Sequence, residues 1–507
     1  MAATGRNLKF IMTAALEQEL PLDLLKEAGI PVFSARAVAS GILQSRSFKQ
    51  SGVNAAVVIT GVGPERARMA AKAICQALSP HIPLFVLNLG TAGLPKTVAG
   101  SSPVNARFSP GSLLYPAEIL VPDRGFNMVQ DRYFPIAPAS NCPVHDISTL
   151  ISLSEPLLSG DLSGDAASGV YFGKKGIAVD MEAGFQAEVF EQYNIPFYTV
   201  KAVSDFCDDE SLFYDNLSLI RDRFARLLSP LLCGHDQVSV VIPVRNRPQK
   251  VVRAIDSVLS QIQPPRELIV VDDCSKDDTA MQVEKRFGQA VHLIRMDQHG
   301  GVARARNIGI GHSTGQWIAL LDSDDEWKPG MLQSLSEFHR QNPFFEISQC
   351  DEIWIRNGRR VNRRKYHLKQ EGWIWDISLE RCMISPSAVM FSRRLFELMG
   401  PFREDFPACE DYDLWLRITR FFPVGLDPEP NLIKYGGHPD QLSRTVPVLD
   451  RFRVEALRQA LVQERDRRRI AELKKVLRNK LWILKQGAEK RGLVRDVQRY
   501  DALLQGL

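Results

Sequence analysis

Short apolar runs alternate with helical segments along most of this chain, and many of the runs end in Gly, Ser or an acidic residue. Early examples are NAAVVITGVG (54–63) and PLFVLNLGTAG (83–93), with the helical segment ERARMAAKAICQAL (65–78) between them. Such alternation is typical of a mostly parallel sheet that is covered by helices. The sequence therefore predicts the α/β fold class.

The alternation starts afresh after CGHDQ (233–237), and a continuous helical pattern begins near residue 448. A chain of 507 residues is long enough for two or three domains. We expect a first α/β domain at 1–232, a second α/β domain at 236–447 and a basic helical tail at 448–507.

Composition excludes several classes of protein. The net charge of +4 is too small to imply nucleic acid as a partner. The eight cysteines form no C-x-x-C pair, so we expect neither a zinc site nor a disulfide framework, but reduced thiols. No apolar run approaches the roughly 20 residues that span a bilayer, and the N-terminus lacks the apolar core of a signal peptide. We therefore expect a cytoplasmic protein.

The tail is basic, with RDRRR (465–469) and KK (474–475), and five of its apolar residues fall at helical spacing. These five are Leu473, Val476, Leu477, Leu481 and Leu484. One interpretation is a solvated helix whose apolar stripe packs on the second domain. The other is a peripheral contact with anionic lipid, or with a lipid-linked acceptor, at the inner face of the membrane. Nucleic acid ranks third, because few aromatic residues interleave with the charges.

Three acidic clusters stand out in the second domain. They lie in VVDDCSKDDT (270–279), LLDSDDEW (320–327) and ACEDYDLWLR (408–417), and the first two end apolar strands. Ligands of parallel sheets bind at the carboxyl ends of strands. Carboxylates gathered there repel one another unless a cation or a donor-rich ligand lies among them. A divalent metal that holds a diphosphate meets that need, since Mg²⁺ and Mn²⁺ favour oxygen ligands.

Residues 237–445 resemble the family 2 glycosyltransferases, whose nucleotide-sugar-binding fold is called GT-A. The resemblance is carried, in order, by VSVVIPVRNR, VVDDCSKDDT, GGVARARNIGI (300–310), the D-x-D of LLDSDDEW and CEDYDLWLR. It implies inverting, metal-dependent transfer of a sugar from a nucleotide-sugar donor to a hydroxyl of a glycan or lipid-linked acceptor.

The resemblance also implies roles for individual residues. Nucleotide-sugar binding falls to Pro243, Arg245, Asp273, Arg306, Asn307 and Asp322. Asp324 would coordinate the divalent metal, Mn²⁺ or Mg²⁺, which neutralises the leaving diphosphate. His438 is either a second metal ligand or phosphate contact, or a structural residue. Asp411 would be the general base that takes the proton of the acceptor hydroxyl.

In the first domain, AVDMEAGF (178–185) places Asp180 and Glu182 on either side of Met181, between a strand end and a helix start. A carboxylate at such a junction can accept hydrogen bonds from both vicinal hydroxyls of a ribose, and bonds of this kind are strong. The Met beside it offers an adaptable apolar surface to the sugar ring. This segment therefore indicates a site for a nucleoside, with Asp180 as a helix-start or packing residue.

The first domain, over about 8–225, resembles the nucleoside phosphorylase and nucleosidase superfamily, especially the methylthioadenosine/adenosylhomocysteine nucleosidases. The segments that carry the resemblance are AALEQEL, GVGPERA, LGTAGLP, VDMEA and KAVSD. It implies a nucleoside phosphorylase-like sheet with helices, and cleavage of the N-glycosidic bond of a purine-type nucleoside. Glu19 would activate the water, and Asp205 would act at the purine. Thr91 would lie near the nucleophile, while Met181 and Glu182 would bind the ribose.

Two alternatives stay open for the first domain. LNLGTAG contains no arginine for phosphate, although Arg66 and Arg68 follow the GVGP turn, so the sequence favours hydrolysis over phosphorolysis. The domain can also serve only as a regulatory module that binds a nucleoside without cleaving it. Relatives in this superfamily often self-associate, which leaves a homodimer open.

Overall fold

The computed structural model describes residues 8–40, 42, 53–78, 83–92, 112–121, 126–129, 144–152, 177–204, 210–437, 446 and 448–507. The chain divides into two compact units. Unit 1 comprises 1–233 with 340–344, and unit 2 comprises 234–339 with 345–507.

Unit 1 is an α/β unit built on one sheet. Its described strands are β1 Phe10–Ala14, β2 Val32–Ser34, β3 Ala55–Ile59, β4 Phe85–Ala92, β5 Leu113–Val121, β6 Phe126–Val129, β7 Val144–Ser152, β8 Ile177–Asp180 and β9 Phe197–Val203. Its described helices are α1 Leu22–Glu27, α2 Ala35–Ala39, α3 Pro64–Leu78, α4 Ala183–Gln192 and α5 Glu210–Leu232. The strand order is β2-β3-β1-β4-β9-β5-β7-β8, with β6 paired to β5.

Five neighbouring strands of unit 1, from β2 to β9, run parallel to one another. Every residue of β1 and of β9 is buried, as expected for strands that are covered on both faces. The antiparallel pairs are β5 with β9 and β5 with β6. Because β1, β4 and β9 are parallel neighbours, their carboxyl ends meet at one edge of the sheet, where Glu19, Thr91 and Ser204 lie.

Unit 2 is a second α/β unit. Its strands are β10 Val238–Val244, β11 Glu267–Asp272, β12 His292–Arg295, β13 Trp317–Leu320, β14 Glu326–Trp327, β15 Ile347–Arg356, β16 Arg359–Val361, β17 Val389–Ser392 and β18 Gly425–Gly436. Its helices are α6 Pro248–Leu259, α7 Thr279–Phe287, α8 Gly301–His312, α9 Met331–Gln341, α10 Trp375–Glu380, α11 Arg393–Met399, α12 Glu410–Thr419, α13 Asp450–Gln463, α14 Arg467–Lys490 and α15 Val494–Gln505.

The sheet of unit 2 has the order β12-β11-β10-β13-β17-β15-β18-β14, with β16 paired to β15. The first four strands in this order are parallel, and β17 is antiparallel to both of its neighbours. In the sheet, β11 lies on one side of β10 and β13 lies on the other, so the strand order reverses direction at β10. This reversal creates a crevice at the carboxyl ends of the strands, which is the place where α/β sheets bind ligands.

One glycine sets how closely α8 approaches that sheet. A Cβ added at Gly309 would lie 2.4 Å from Cγ1 of Val241 on β10 and 3.1 Å from Cγ2 of Val271 on β11. Only a residue without a side chain lets the helix backbone approach the strands so closely. Gly309 therefore fixes the position of α8, which carries Arg306 and Asn307.

The last three helices pack on α10 and α12 of unit 2. Leu457, Leu473, Leu477, Leu481 and Leu484 are all buried in one apolar cluster with Trp375, Tyr412 and Leu416. The predicted apolar stripe of the tail is thus confirmed, and so is the α/β fold class. No helix within the described residues is both long enough and apolar enough to cross a bilayer.

Candidate functional site

The crevice of unit 2 collects carboxylates from two parallel strands. Asp272 and Asp273 end β11, and the segment from Asp322 to Asp325 follows β13. The buried Pro243 lies on β10, between these two strand ends. The exposed Arg245 follows β10 directly. The topology therefore brings the residues predicted to bind the nucleotide-sugar donor to one edge of the sheet.

Asp273 is tied to the start of α8. Its two carboxylate oxygens accept the backbone N–H groups of Gly300 at 2.7 Å and Gly301 at 3.0 Å. Carboxylates are stabilised at helix N-termini by free N–H groups and by the helix dipole. The strand end and the helix start are thereby held in one position, so β11 and α8 form one wall of the crevice.

His299 connects two of the predicted residues and was missed by the sequence analysis. Its Nδ1 lies 2.7 Å from a carboxylate oxygen of Asp273, and its Nε2 lies 2.7 Å from Nη1 of Arg245. Because a guanidinium only donates, Nε2 is placed to accept from Arg245, and Nδ1 is placed to donate to Asp273. The sequence signal was a histidine directly before the GG that opens α8.

Arg306 is buried and joins two acidic clusters. Its Nη2 donates to Asp322 at 2.7 Å, and its Nη1 donates to Glu410 at 2.6 Å. Burial alone would lower the pKa of Arg306, but these carboxylates outweigh it and raise that pKa. Burial alone would raise the pKa of Asp322, and the guanidinium outweighs it and lowers that pKa. The D-x-D segment and the start of α12 are therefore parts of one site.

Asp411, the predicted general base, lies in the first turn of α12 beside Glu410. One of its oxygens accepts the backbone N–H of Tyr412 at 2.7 Å, and the other lies 3.5 Å from the thiol of Cys382. Burial and the neighbouring Asp411 raise the pKa of Glu410 to about 7, against the opposing effect of Arg306. The segment that includes Cys382 thus lies beside Asp411.

Asp324 and Asp325 have basic neighbours that the sequence analysis also missed. Nη1 of Arg247 lies 3.1 Å from a carboxylate oxygen of Asp324. Asp325 accepts hydrogen bonds from Ser387 at 2.6 Å and from the backbone of Tyr435 at 3.0 Å. Burial raises the pKa of Asp325 to about 8 despite the nearby Lys434.

Lys434 is a half-buried cation on β18, near the D-x-D segment. Its Nζ donates to Ser385 at 2.5 Å. Burial alone would lower its pKa, but Glu352, Asp325 and Asp322 outweigh it and raise that pKa. The acidic crevice therefore holds fixed positive charges of its own.

The carboxylates also fit a divalent cation. Within the described residues, no group of three or more His, Cys, Asp or Glu side chains is placed to hold a metal by itself. Mg²⁺ in phosphate-transfer sites is commonly held by one or two carboxylates together with substrate phosphates, and not by a complete protein cage. Asp324 is one carboxylate of this kind, predicted as a metal ligand. The other predicted metal ligand, His438, lies outside the described residues.

Asn307 contacts protein groups in this structure. Its amide donates to the backbone carbonyl of Phe402 and to Glu404, both at 2.9 Å, and accepts the backbone N–H of Phe402 at 3.0 Å. Trp375 is buried in the apolar cluster that includes the tail, so it is a core residue. Asn307 thus anchors the loop before α12, and its contact with a nucleotide stays a prediction.

Unit 1 has a separate group of buried charges at the carboxyl edge of its sheet. Glu19 accepts the hydroxyl of Thr91 at 3.1 Å and the backbone N–H of Leu16 at 3.0 Å. Burial raises the pKa of Glu19, partly opposed by Leu16, Lys201 and Thr91. Glu19 and Thr91, which are 72 residues apart in sequence, therefore meet at this edge of the sheet.

Lys201 lies in the same group and was missed by the sequence analysis. This fully buried lysine places its Nζ 2.9 Å from a carboxylate oxygen of Asp180. Burial alone would lower its pKa, but Asp180 and Glu182 outweigh it and raise that pKa. Asp180 also accepts the N–H of Ala183 at 2.8 Å, which confirms it as a helix-start residue.

Glu182 accepts the N–H of Gly63, in the GVGP turn, at 3.1 Å. Burial raises the pKa of Glu182 to about 7, with Lys201 acting against the rise and Asp180 adding to it. Met181 is half-buried beside it. The predicted purine contact, Asp205, lies outside the described residues. The three carboxyl groups of this cluster, Glu19, Asp180 and Glu182, thus outnumber its one lysine.

The comparisons with known proteins concern unit 2. Residues 239–398 match the family described as Glycosyl transferase family 2. The putative teichuronic acid biosynthesis glycosyltransferase TuaG of Bacillus subtilis is 37% identical over 158 residues, 31% of this chain and 62% of that protein. UDP-Glc:alpha-D-GlcNAc-diphosphoundecaprenol beta-1,3-glucosyltransferase WfgD of Escherichia coli is 31% identical over 183 residues, 36% of this chain and 70% of that protein.

Other matches are partial. The chain spans 35% of the length of an uncharacterized glycosyltransferase of Rickettsia felis, at 28% identity over 41% of its own length. Among solved structures, S. aureus TarS 1-349 in complex with UDP-GlcNAc is 20% identical, with a TM-score of 0.39 over 48% of this chain and 71% of that chain. Residues 239–398, which the family match covers, include Asp273, Arg306, Asp322 and Asp324. The chain belongs to glycosyl transferase family 2.

Proposed function

We propose that unit 2 is an inverting, metal-dependent glycosyltransferase that uses a nucleotide-sugar donor. The observation that carries the proposal is the bridge from Asp322 through Arg306 to Glu410, because it joins the donor side of the crevice to the helix of Asp411. Asp273, Arg245 and Pro243 bind the nucleobase and ribose side of the donor.

In the proposed reaction, the acceptor hydroxyl attacks the anomeric carbon of the donor sugar while Asp411 takes its proton. The new bond joins the acceptor oxygen to the anomeric carbon, and the bond from that carbon to the diphosphate breaks. The leaving group is the nucleoside diphosphate. Asp324 and His438 would hold a divalent metal, which would supply neutralisation of the charge on the diphosphate.

The acceptor we propose is a glycan or a lipid-linked sugar. Two names support this proposal. The name of the E. coli relative specifies an acceptor linked to diphosphoundecaprenol. The name of the B. subtilis relative refers to teichuronic acid biosynthesis. We also propose that the chain consists of a first domain at 1–232, a second domain at 236–447 and a basic helical tail at 448–507.

The first experiment is donor turnover with purified protein, by release of nucleoside diphosphate from UDP- and GDP-sugars with Mn²⁺, with Mg²⁺ and with EDTA. Asp411→Asn should lower kcat at least about 100-fold while it keeps donor affinity, since a general base contributes 10²–10⁴-fold. Asp376→Asn, an exposed carboxylate in the first turn of α10, is the matched control and should leave turnover unchanged. Equal turnover in Asp411→Asn and in the unaltered protein would refute the base assignment.

For unit 1 we propose cleavage of the N-glycosidic bond of a purine-type nucleoside. The specific observation is the buried cluster of Glu19, Asp180, Glu182 and Lys201, in which the carboxylates exceed the cations. Such a cluster favours a ligand with several hydrogen-bond donors, which a ribose provides. Glu19 activates the attacking water, Glu182 and Met181 hold the ribose, and Asp205 acts at the base.

The test follows free base from methylthioadenosine, adenosylhomocysteine, adenosine and inosine, with and without phosphate. Release without phosphate supports a nucleosidase, and Glu19→Gln should then abolish it. Release only with phosphate makes unit 1 a phosphorylase. Nucleoside binding by calorimetry without any release supports the regulatory alternative, and the absence of both binding and release refutes the nucleoside site. Light scattering of the same sample tests the predicted homodimer.

A further inference from the structure

The outer face of helix α14 combines apolar and basic side chains that are exposed among the described residues, although Arg478 also donates to the carbonyl of Leu507 and Lys475 lies 3.5 Å from Glu472. Trp482 is 57% exposed and Ile483 is 49% exposed. The basic members of this face are Lys475, Arg478 and Lys490, all of them exposed. Single exposed apolar side chains are common, but a tryptophan and an isoleucine exposed next to several cations form an amphipathic surface.

The geometry of α14 places Trp482 opposite the packed face. Leu473, on the buried face, precedes Trp482 by nine residues, which is about two and a half turns of an α-helix. Lys475 and Arg478 precede Trp482 by seven and four residues, which is about two turns and one turn. The aromatic ring and the two cations therefore lie on one side of the helix, directed away from the core.

Charge identifies the partner. The segment 448–507 contains sixteen Arg and Lys against eight Asp and Glu, a net charge of +8, whereas the whole chain carries only +4. The remaining 447 residues are accordingly net acidic. A basic helix with Trp482 on its polar face and Ile483 at the edge of that face fits the headgroup region of a bilayer, where a tryptophan ring is stabilised and cations meet lipid phosphates.

We propose that the outer face of α14 docks unit 2 on an anionic lipid bilayer, with Trp482 and Ile483 entering the headgroup region. Each basic side chain near an anionic surface adds to the attraction, and the attraction weakens as salt is added. The docking is peripheral, since α14 is held to unit 2 by its opposite face.

The packed face of α14, opposite the docked face, contacts the elements next to Asp411. Lys480 of α14 donates from its Nζ to the backbone carbonyl of Glu380, the last residue of α10, at 3.1 Å. Tyr412, the residue after Asp411, lies in the same apolar cluster as Leu477 of α14. This part of the inference rests on the proposed function, because it places Asp411 near a membrane that carries a lipid-linked acceptor.

The experiment is co-sedimentation of the full-length protein with vesicles of phosphatidylcholine alone and of phosphatidylcholine with 30% phosphatidylglycerol. We expect binding to the anionic vesicles only, with loss of most of it in 0.5 M NaCl. Trp482→Ala with Ile483→Ala should lower the partition coefficient at least about tenfold, and Lys475→Glu with Lys490→Glu should lower it similarly.

The matched control is Ile262→Ala with Met281→Ala, which removes two equally exposed apolar side chains of unit 2, 66% and 59% exposed. This control should bind vesicles like the unaltered protein. Because Trp482 and Ile483 lie on the surface, circular dichroism and donor binding should be the same in all variants.

Three results would overturn the inference. They are the absence of binding to anionic vesicles, binding that the Trp482 and Ile483 substitutions leave unchanged, and a dimer that these substitutions convert to a monomer in light scattering. The last result would make the face an interface between two copies of the chain. Vesicle binding needs no turnover, so failure of the proposed transferase activity would leave this test intact.

Discussion

Arg306 and Glu410, which are 104 residues apart in sequence, form a hydrogen-bonded ion pair of 2.6 Å in which both side chains are almost fully buried. The same guanidinium donates to Asp322 at 2.7 Å. One arginine therefore sets the distance between the D-x-D segment, which faces the donor, and the helix start that presents Asp411. A site assembled in this way should be sensitive to the loss of this one cation.

Arg306→Met should destabilise unit 2 by about 3–5 kcal/mol, because it leaves carboxylates buried without their partner. The measurement is urea unfolding followed by tryptophan fluorescence, since all seven tryptophans lie in unit 2. Arg286→Met is the control, because the pair of Arg286 with Asp256 is about half exposed and should contribute less than about 1 kcal/mol. Equal unfolding midpoints for the two variants would contradict this prediction.

Gly309→Ala should destabilise unit 2 by about 1–3 kcal/mol, because its Cβ would lie 2.4 Å from Val241 and force α8 off the sheet. Gly311→Ala is the matched control on the same helix, where an added Cβ meets nothing within 4 Å. That variant should stabilise by about 0.5–1 kcal/mol through its higher helix propensity. Both are measured by tryptophan fluorescence in urea, and a stabilised Gly309→Ala would show that the contact is not tight.

His299→Ala should raise the KM for the nucleotide-sugar donor about tenfold with little change in kcat, because it releases Arg245 and Asp273 from each other without touching Asp411. His299→Asn can still donate to Asp273, so we expect a smaller rise in KM. His292→Ala, an exposed histidine at the start of β12, is the control and should behave like the unaltered protein. Steady-state kinetics over a range of donor concentrations decides the question. A loss in kcat alone would place His299 at the reacting atoms.

The raised pKa of Glu182 predicts a pH-dependent stability for unit 1. Folded Glu182 holds its proton up to about pH 7, whereas the unfolded side chain releases it near the ordinary value of 4.5. The unfolded state therefore binds fewer protons in this window, and stability falls as the pH rises from 4.5 through 7. The effect is at most about 3.5 kcal/mol, from about 1.4 kcal/mol for each of the roughly 2.5 pH units between the two values.

Pulse proteolysis in urea at pH 5, 6.5 and 8, with fragments of 8–232 identified by mass spectrometry, measures that dependence. Glu182→Gln should flatten it, because the amide does not titrate. Glu191→Gln, which changes an exposed glutamate on the same helix, should leave it unchanged. An unaltered slope in Glu182→Gln would assign the pH dependence to another group.

Much of the unit 2 site could be predicted from the sequence because its motifs are local. Asp272 and Asp273 directly follow a buried run, and so does Asp322, so a short stretch of sequence places each at a strand end. The apolar stripe of α14 was equally readable, since helical spacing is a property of neighbouring residues. The sequence did not predict that this stripe faces α10 and α12.

What the sequence by itself determined is the α/β class, the acidic strand ends and the family resemblance of unit 2. Only the tertiary structure decided which carboxylates pair with the long basic side chains. Arg306 pairs with Asp322 and Glu410, Lys201 pairs with Asp180, and Arg247 pairs with Asp324. A side chain with four or five rotatable bonds can reach many groups, and its partners come from strands and helices far away in the chain. The charge balance of each site therefore depends on which elements fold together, and that information lies in no single segment.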